Sequence, residues 1–168
     1  MPTMSPEHLH LALNHFPIIG IACALLPIIV GIFFRSKSTL VVGLVLATAC
    51  GWTTLLVMNA GESAAERYEE GPVRPFLDAN FTASLEAHEE IAETWSKVIY
   101  VAASLATITL VLTLANVKFA RFAAVVVLFA CMAAVGAGVF IADSGGKIRR
   151  PDFRTANNAA ATQPHAEE

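Results

Sequence analysis

The sequence predicts an all-α integral membrane protein, a four-helix bundle with up-down-up-down topology. Its four apolar segments hold about 18–24 residues each, and about 20 residues suffice to cross a hydrocarbon core of about 30 Å. The chain of 168 residues is 55% hydrophobic and only 15% charged. Soluble domains carry about 25% charged residues. We therefore expect membrane spans at residues 11–34, 40–60, 98–115 and 122–142.

The first span contains two prolines with different expected effects. Pro27 lies inside the apolar segment, where it removes a backbone hydrogen bond and should kink the helix. Pro17 is predicted in the first turn of the helix, where no N–H donor is needed, with Asn14 near the cap. His10 then belongs to an outer segment that meets the helix at an angle.

The second and third spans are predicted to extend beyond the outer membrane surface. The second helix should continue through Tyr68, and a break is expected at Gly71-Pro72. Residues 83–97 form a polar helical pattern that should run directly into the third span. The result is one helix of about 33 residues and about 50 Å.

The fourth span completes a single domain of residues 1–154, and residues 155–168 are predicted to form a disordered tail because they lack apolar content. Small residues at four-residue spacing predict close helix packing within the spans. These pairs are Ala47/Gly51, Ala102/Ala106, Ala133/Ala137 and Ala134/Gly138.

Charge distribution predicts the orientation in the membrane. The two short turns contain Arg35, Lys37, Lys118 and Arg121 and no acidic residue, so the positive-inside rule makes them cytoplasmic. The protein should then lie in the bacterial inner membrane with both termini periplasmic. The other seven of the 11 basic residues lie on the opposite side and weaken this bias. No basic patch indicates nucleic-acid binding.

Polar side chains are predicted to meet at the outer end of the bundle. Counting residues outward from each span places His10, Glu66 and His88 at one level, on three different helices. His15 and Glu62 form a second layer below. Polar residues buried among membrane helices are costly and usually have a role.

Imidazole and carboxylate groups on facing helices could bind either of two kinds of cofactor. A transition metal (Fe, Cu or Zn) would use His10, Glu62, Glu66 and His88. A b-type haem would take axial ligands from His10, His15 and His88. The spacing alone does not choose between them. A third possibility is that these groups only hydrogen-bond one another where the helices leave the lipid.

Four short motifs occur in order along the chain: HLALNHFP (residues 10–17), GESAAE (61–66), EAHE (86–89) and GGKIR (145–149). Together they resemble an uncharacterised bacterial family of four-span membrane proteins, a domain of unknown function with a His-x4-His-Phe-Pro opening. The resemblance covers residues 8–152 and implies a four-helix membrane fold. It also implies a role for the motif histidines and glutamates, but no defined activity. From the family pattern we expect a histidine at position 150, and this chain has Arg150 there instead.

Two functional hypotheses follow. The first is a small redox subunit that binds a b-type haem or a transition metal at its periplasmic face. It would pass electrons to or from a periplasmic carrier or within a larger respiratory assembly. The alternative is a cofactor-free accessory subunit of a larger membrane complex. Metal transport is disfavoured, because no acidic or histidine residue lies mid-membrane. No catalytic residue is predicted, because no GxSxG motif or Ser/His/Asp arrangement occurs.

Overall fold

A computed structural model describes residues 5–70 and 79–149, and over these residues the chain has helices and no strands. The helices are α1 (Pro6–Leu13), α2 (Phe16–Phe33), α3 (Lys37–Glu70), α4 (Ala79–Leu114) and α5 (Ala120–Arg149). Four helical segments, the first joining α1 and α2, are long and apolar enough to cross a membrane. The predicted all-α, four-helix membrane fold is confirmed. The predicted disordered tail, residues 155–168, lies outside the described residues.

The four long helices form a closed ring. Helix α2 contacts α3 and α5, α4 also contacts α3 and α5, and the short α1 packs on α3. The interior combines many alanines with a few larger side chains such as Ile28 and Leu44, whereas the phenylalanines near the short turns face outward; Phe33 and Phe122 are 82% and 73% exposed. Lipid tails are as apolar as leucine, so membrane helices gain most from close contact between small residues. The surface therefore suits a lipid bilayer.

Three of the four small-residue pairs lie in helix contacts. Ala47 and Gly51, Ala102 and Ala106, and Ala134 and Gly138 are all buried. Gly51 lies directly against α4, because a Cβ added there would be 2.7 Å from the Ala103 Cβ. The fourth pair is only half correct: Ala137 is buried, but Ala133 is exposed.

The break near Pro17 is confirmed. Helix α1 ends at Leu13, Asn14 and His15 form a turn, and α2 begins at Phe16 with Pro17 in its first turn. His15, rather than Asn14, occupies the N-cap position, and it makes no side-chain capping bond. The first apolar segment is therefore divided, since residues 11–13 belong to α1. Helix α2 runs without interruption past Pro27.

Helices α3 and α4 are longer than a membrane crossing requires. They contain 34 and 36 residues. At 1.5 Å per residue they measure about 51 and 54 Å, about 20 Å more than the hydrocarbon core. The predicted continuity of the polar outer helix with the third span is confirmed, although α4 begins at Ala79 rather than at residue 83.

Both short turns contain a non-glycine residue in the left-handed region, Arg35 with φ 55° and Asn116 with φ 58°. In the second turn, the Val117 N–H donates to the Leu112 carbonyl at 3.0 Å and the Asn116 N–H to the Thr113 carbonyl at 3.2 Å. This pair of bonds is a Schellman motif, which satisfies the last carbonyls of α4.

We expect Gly31→Ala to lower the thermal midpoint of the detergent-solubilised protein. A Cβ on Gly31 would lie 2.6 Å from the Leu40 Cα and N, which are backbone atoms that cannot rotate away. Overpacking of this kind costs about 1–3 kcal/mol, more than the gain of about 1 kcal/mol in helix propensity. Circular dichroism on heating measures the midpoint.

The matched control is Gly136→Ala, because a Cβ on Gly136 meets no atom within 4 Å. Its midpoint should stay the same or rise slightly. Equal midpoints for the two variants would contradict the close α2–α3 approach.

Candidate histidine site at the outer end of the bundle

His10 joins α1 to α3. Its Nδ1 lies 3.0 Å from the Val57 carbonyl oxygen, and a carbonyl can only accept, so Nδ1 carries the proton. In the neutral ring Nε2 therefore keeps its lone pair. The ring rests on Gly61, where an added Cβ would be 3.0 Å from both Cε1 and Nδ1. A side chain at position 61 would require this imidazole to shift by a few tenths of an ångström.

A second contact fixes α1 on α3. The Glu7 carboxylate lies 3.1 Å from the Arg67 Nε, with the side chains 20% and 59% exposed. Hydrogen bonds from Ser5 and from the Glu7 backbone, with a smaller effect of the Arg67 charge, hold the pKa of Glu7 below its usual range. Ser5 also caps α1, since its Oγ accepts from the His8 N–H. One hydrogen bond, from His10 to Val57, and one ion pair, between Glu7 and Arg67, therefore hold α1 against α3.

His88 joins α4 to α5 in the same manner. Its Nδ1 lies 2.8 Å from the Ser144 Oγ, and the Ser144 hydroxyl donates to the Ile141 carbonyl at 2.7 Å. Because the hydroxyl proton is used in that bond, Nδ1–H of His88 is the donor to Oγ. The ring rests on Gly145, where an added Cβ would be 3.1 Å from Cε1.

The surroundings of His88 disfavour its charged form. Burial lowers its pKa, a positive charge on the neighbouring His10 lowers it further, and a hydrogen bond with the Ile141 carbonyl opposes both effects. His10 and His88 therefore interact electrostatically, since a charge on one ring disfavours a charge on the other. Each imidazole is also hydrogen-bonded to the protein through its Nδ1.

The other predicted site residues are more exposed. His15 is exposed and hydrogen-bonds its neighbour Asn14. Glu62 and Glu66 are exposed on α3, whereas Ala60, Ala64 and Ala65 form its buried face. In the part of the chain that the structure describes, no three His, Cys, Asp or Glu side chains are grouped as around a metal ion. The metal set of His10, Glu62, Glu66 and His88 stays a prediction.

Sequence reasoning missed the groups that hold the histidines. The Val57 carbonyl, Ser144 and the Glu7–Arg67 pair were not anticipated as partners. One available signal was that Gly61 and Gly145 each begin one of the four motifs, three of which contain the candidate residues. A glycine there allows a ring on another helix to approach the backbone.

Fold and composition together define a multi-pass membrane protein with a histidine pair at one end of its bundle. No protein-family model, no curated protein and no solved structure matches the chain. The resemblance to a four-span bacterial family stays a prediction.

We expect the stability of the folded protein to fall as the pH decreases from above 6.5 towards the lowered pKa of His88. The folded-state pKa lies below the ordinary value of 6.5. The unfolded chain therefore binds more protons in that interval and is favoured there. Thermal midpoints measured between pH 8 and pH 5 should decrease.

His88→Asn is the matched variant, because its amide N–H can replace Nδ1–H towards Ser144 without titrating. Its midpoint should depend less on pH in the same interval. An equal dependence in both proteins would contradict a titrating role for His88.

Proposed function

We propose that this protein is a redox subunit of the bacterial inner membrane that holds a b-type haem at its periplasmic face. His10 and His88 would hold the haem iron, and the supporting observation is that Nδ1 of each ring is hydrogen-bonded to the protein. Each donates Nδ1–H to the protein, to the Val57 carbonyl and the Ser144 hydroxyl respectively. A bonded Nδ1–H fixes the tautomer and orientation of a ligating histidine and leaves Nε2 for the metal.

The number of histidines favours haem over a bare metal ion. A haem iron can take two axial histidines, whereas a protein zinc site uses three or four protein ligands. The lowered pKa of His88 keeps its imidazole neutral near pH 7, the form that binds a metal. A bound haem would supply one-electron transfer.

The residues of this chain have separate roles in the proposal. His10 and His88 bind, while Val57 and Ser144 orient their rings. The ion pair between Glu7 and Arg67 holds α1, and so His10, against α3. A site near the outer ends of the helices suits exchange of electrons with a periplasmic carrier or a neighbouring subunit.

The second candidate is a cofactor-free accessory subunit of a larger membrane complex. One observation favours it: the bonds of His10 and His88 already join helices, α1 to α3 and α4 to α5. Such bonds have a structural role without any ligand. In this case the outer parts of α3 and α4 would contact the partner subunits.

The test is a reduced-minus-oxidised absorption spectrum of protein purified in mild detergent without chelators, with metal analysis of the same sample. We expect a Soret and α-band pair in the wild type. His10→Asn and His88→Asn should lose both bands, because asparagine can replace the Nδ1–H donor but has no Nε2. Their helix content should remain that of the wild type.

The control variant is His8→Asn, since His8 is exposed and its Nδ1 hydrogen-bonds the hydroxyl of Ser5. It should keep both bands. A stoichiometric metal without haem bands would replace haem by Fe, Cu or Zn, with Glu62 and Glu66 as candidate further ligands. If the wild type showed neither bands nor metal, the redox proposal would fail, and the accessory subunit would become the favoured function.

The proposed orientation has its own test. The basic turns, with Arg35, Lys37, Lys118 and Arg121, favour a cytoplasmic position. Alkaline phosphatase fused after Glu168 in a bacterial host should therefore be active, and green fluorescent protein fused at the same point should be dark. The opposite pair of results would place the histidines on the cytoplasmic side.

A further inference from the structure

A cleft of about 260 Å³ lies at the opposite end of the bundle from the histidines, between the two short turns. One turn contributes Arg35 and Lys37, and the other contributes Lys118 and Arg121. These are the only charged residues among positions 34–40 and 114–122. The turns are 77 or more residues apart in the chain, so the fold itself brings these four cations together.

No carboxylate neutralises this cluster in the described ranges. The ion pairs found there are Glu7–Arg67, Glu93–Lys97 and Asp143–Lys147. All three lie towards the histidine end of the helices, away from the cleft. Four like charges around one cleft repel each other unless an anion binds between them. The cleft therefore calls for a negatively charged ligand from outside the chain.

Hydrogen bonds hold the side chain of one of these cations, Lys37, in place. Lys37 Nζ donates to the Asn116 Oδ1 at 2.7 Å and to the Leu114 carbonyl at 3.3 Å. This contact ties the first residue of α3 to the end of α4 and closes one side of the cleft. Helices α3 and α5 both begin at its edge, at Lys37 and Ala120. Their partial positive charges add to those of the side chains.

Aromatic side chains beside the turns indicate that the ligand is amphiphilic. The exposures of Phe33, Phe34, Phe119 and Phe122 are 82%, 73%, 60% and 73%. Each lies within two residues of a basic residue or turn that lines the cleft. A free phosphate ion would use the cations alone. A phospholipid would use both surfaces, its headgroup among the cations and its acyl chains along the phenylalanines.

We propose that this cleft is a specific site for the phosphate headgroup of an anionic phospholipid. Arg35, Lys37, Lys118 and Arg121 bind the headgroup, and the neighbouring phenylalanines contact its acyl chains. Basic clefts between membrane helices are suited to such headgroups, because each cation near the surface attracts anionic lipid. The inference does not depend on the histidine pair or on a cofactor.

Native mass spectrometry of the full-length protein in mild detergent tests the site. Phosphatidylglycerol and phosphatidylcholine with identical acyl chains are added in turn, and inorganic phosphate forms a third arm. We expect saturable binding of one phosphatidylglycerol, at least about tenfold tighter than phosphatidylcholine. Inorganic phosphate should bind more weakly than phosphatidylglycerol, because it lacks acyl chains.

The variant is Lys118→Gln with Arg121→Gln, which removes half of the cluster and leaves the Lys37 contacts in place. Its affinity for phosphatidylglycerol should fall about tenfold or more. The matched control is Lys97→Gln with Lys147→Gln, which makes the same change of charge away from the cleft and should bind as the wild type does.

Three results would overturn the proposal. Equal binding of the two lipids would show that acyl chains alone are recognised. Equal binding by the variant and the control would place the lipid elsewhere. Phosphate binding as tight as phosphatidylglycerol binding would make this a phosphate site without a role for lipid. The comparison of phosphatidylglycerol with phosphatidylcholine uses the wild-type protein alone. It therefore tests the proposal even if the variant fails to fold.

Discussion

Close contact between helix backbones is the constraint on which this structure depends. Glycine allows it between α2 and α3, where an added Cβ on Gly20 would overlap the Cys50 side chain. It allows it again between α3 and α4 at Gly51, and between α5 and α2 at Gly138. At the histidine end of the bundle, two glycines each lie against an imidazole ring instead of an aliphatic side chain. Gly61 and Gly145 thus join the packing of the bundle to the geometry of the histidine pair.

Hydroxyl groups along α4 are satisfied locally, whereas the Thr48 and Thr54 hydroxyls of α3 are buried without a hydrogen-bond partner among the described residues. Thr107, Thr113 and Ser104 each donate to the carbonyl four residues earlier in α4, at 2.7–2.8 Å. Lipid offers no hydrogen bonds, so a helix in it must satisfy its own polar groups or use those of a neighbour. Bonds between helices lie at both ends of the bundle and also between them, where the Trp52 Nε1–H of α3 donates to the Thr107 Oγ1 of α4 at 3.1 Å. The two ends differ in charge: the charged residues of the short turns are all basic, whereas the histidine end carries imidazoles with charges of both signs.

The sequence predicted well what depends on local signals and poorly what depends on helix rotation. Apolar length predicted the four spans, and Pro17 predicted the turn between α1 and α2. The height of each residue above the membrane grouped His10 and His88 correctly at one end. Height does not give direction around a helix axis, so it could not predict that Glu62 and Glu66 are exposed on α3. Rotation is fixed by packing between distant segments, and a single sequence carries little trace of it.

The uninterrupted length of α4 connects the packing of the bundle directly to His88. Gly51 of α3 lies against Ala103, and His88 lies 15 residues from Ala103, about 22 Å along the helix. If α4 tilted by about 5° at this contact, the His88 end would move by about 2 Å, which is enough to make or break a hydrogen bond. A small change in helix packing would therefore be larger at the bond between His88 and Ser144 than at Gly51.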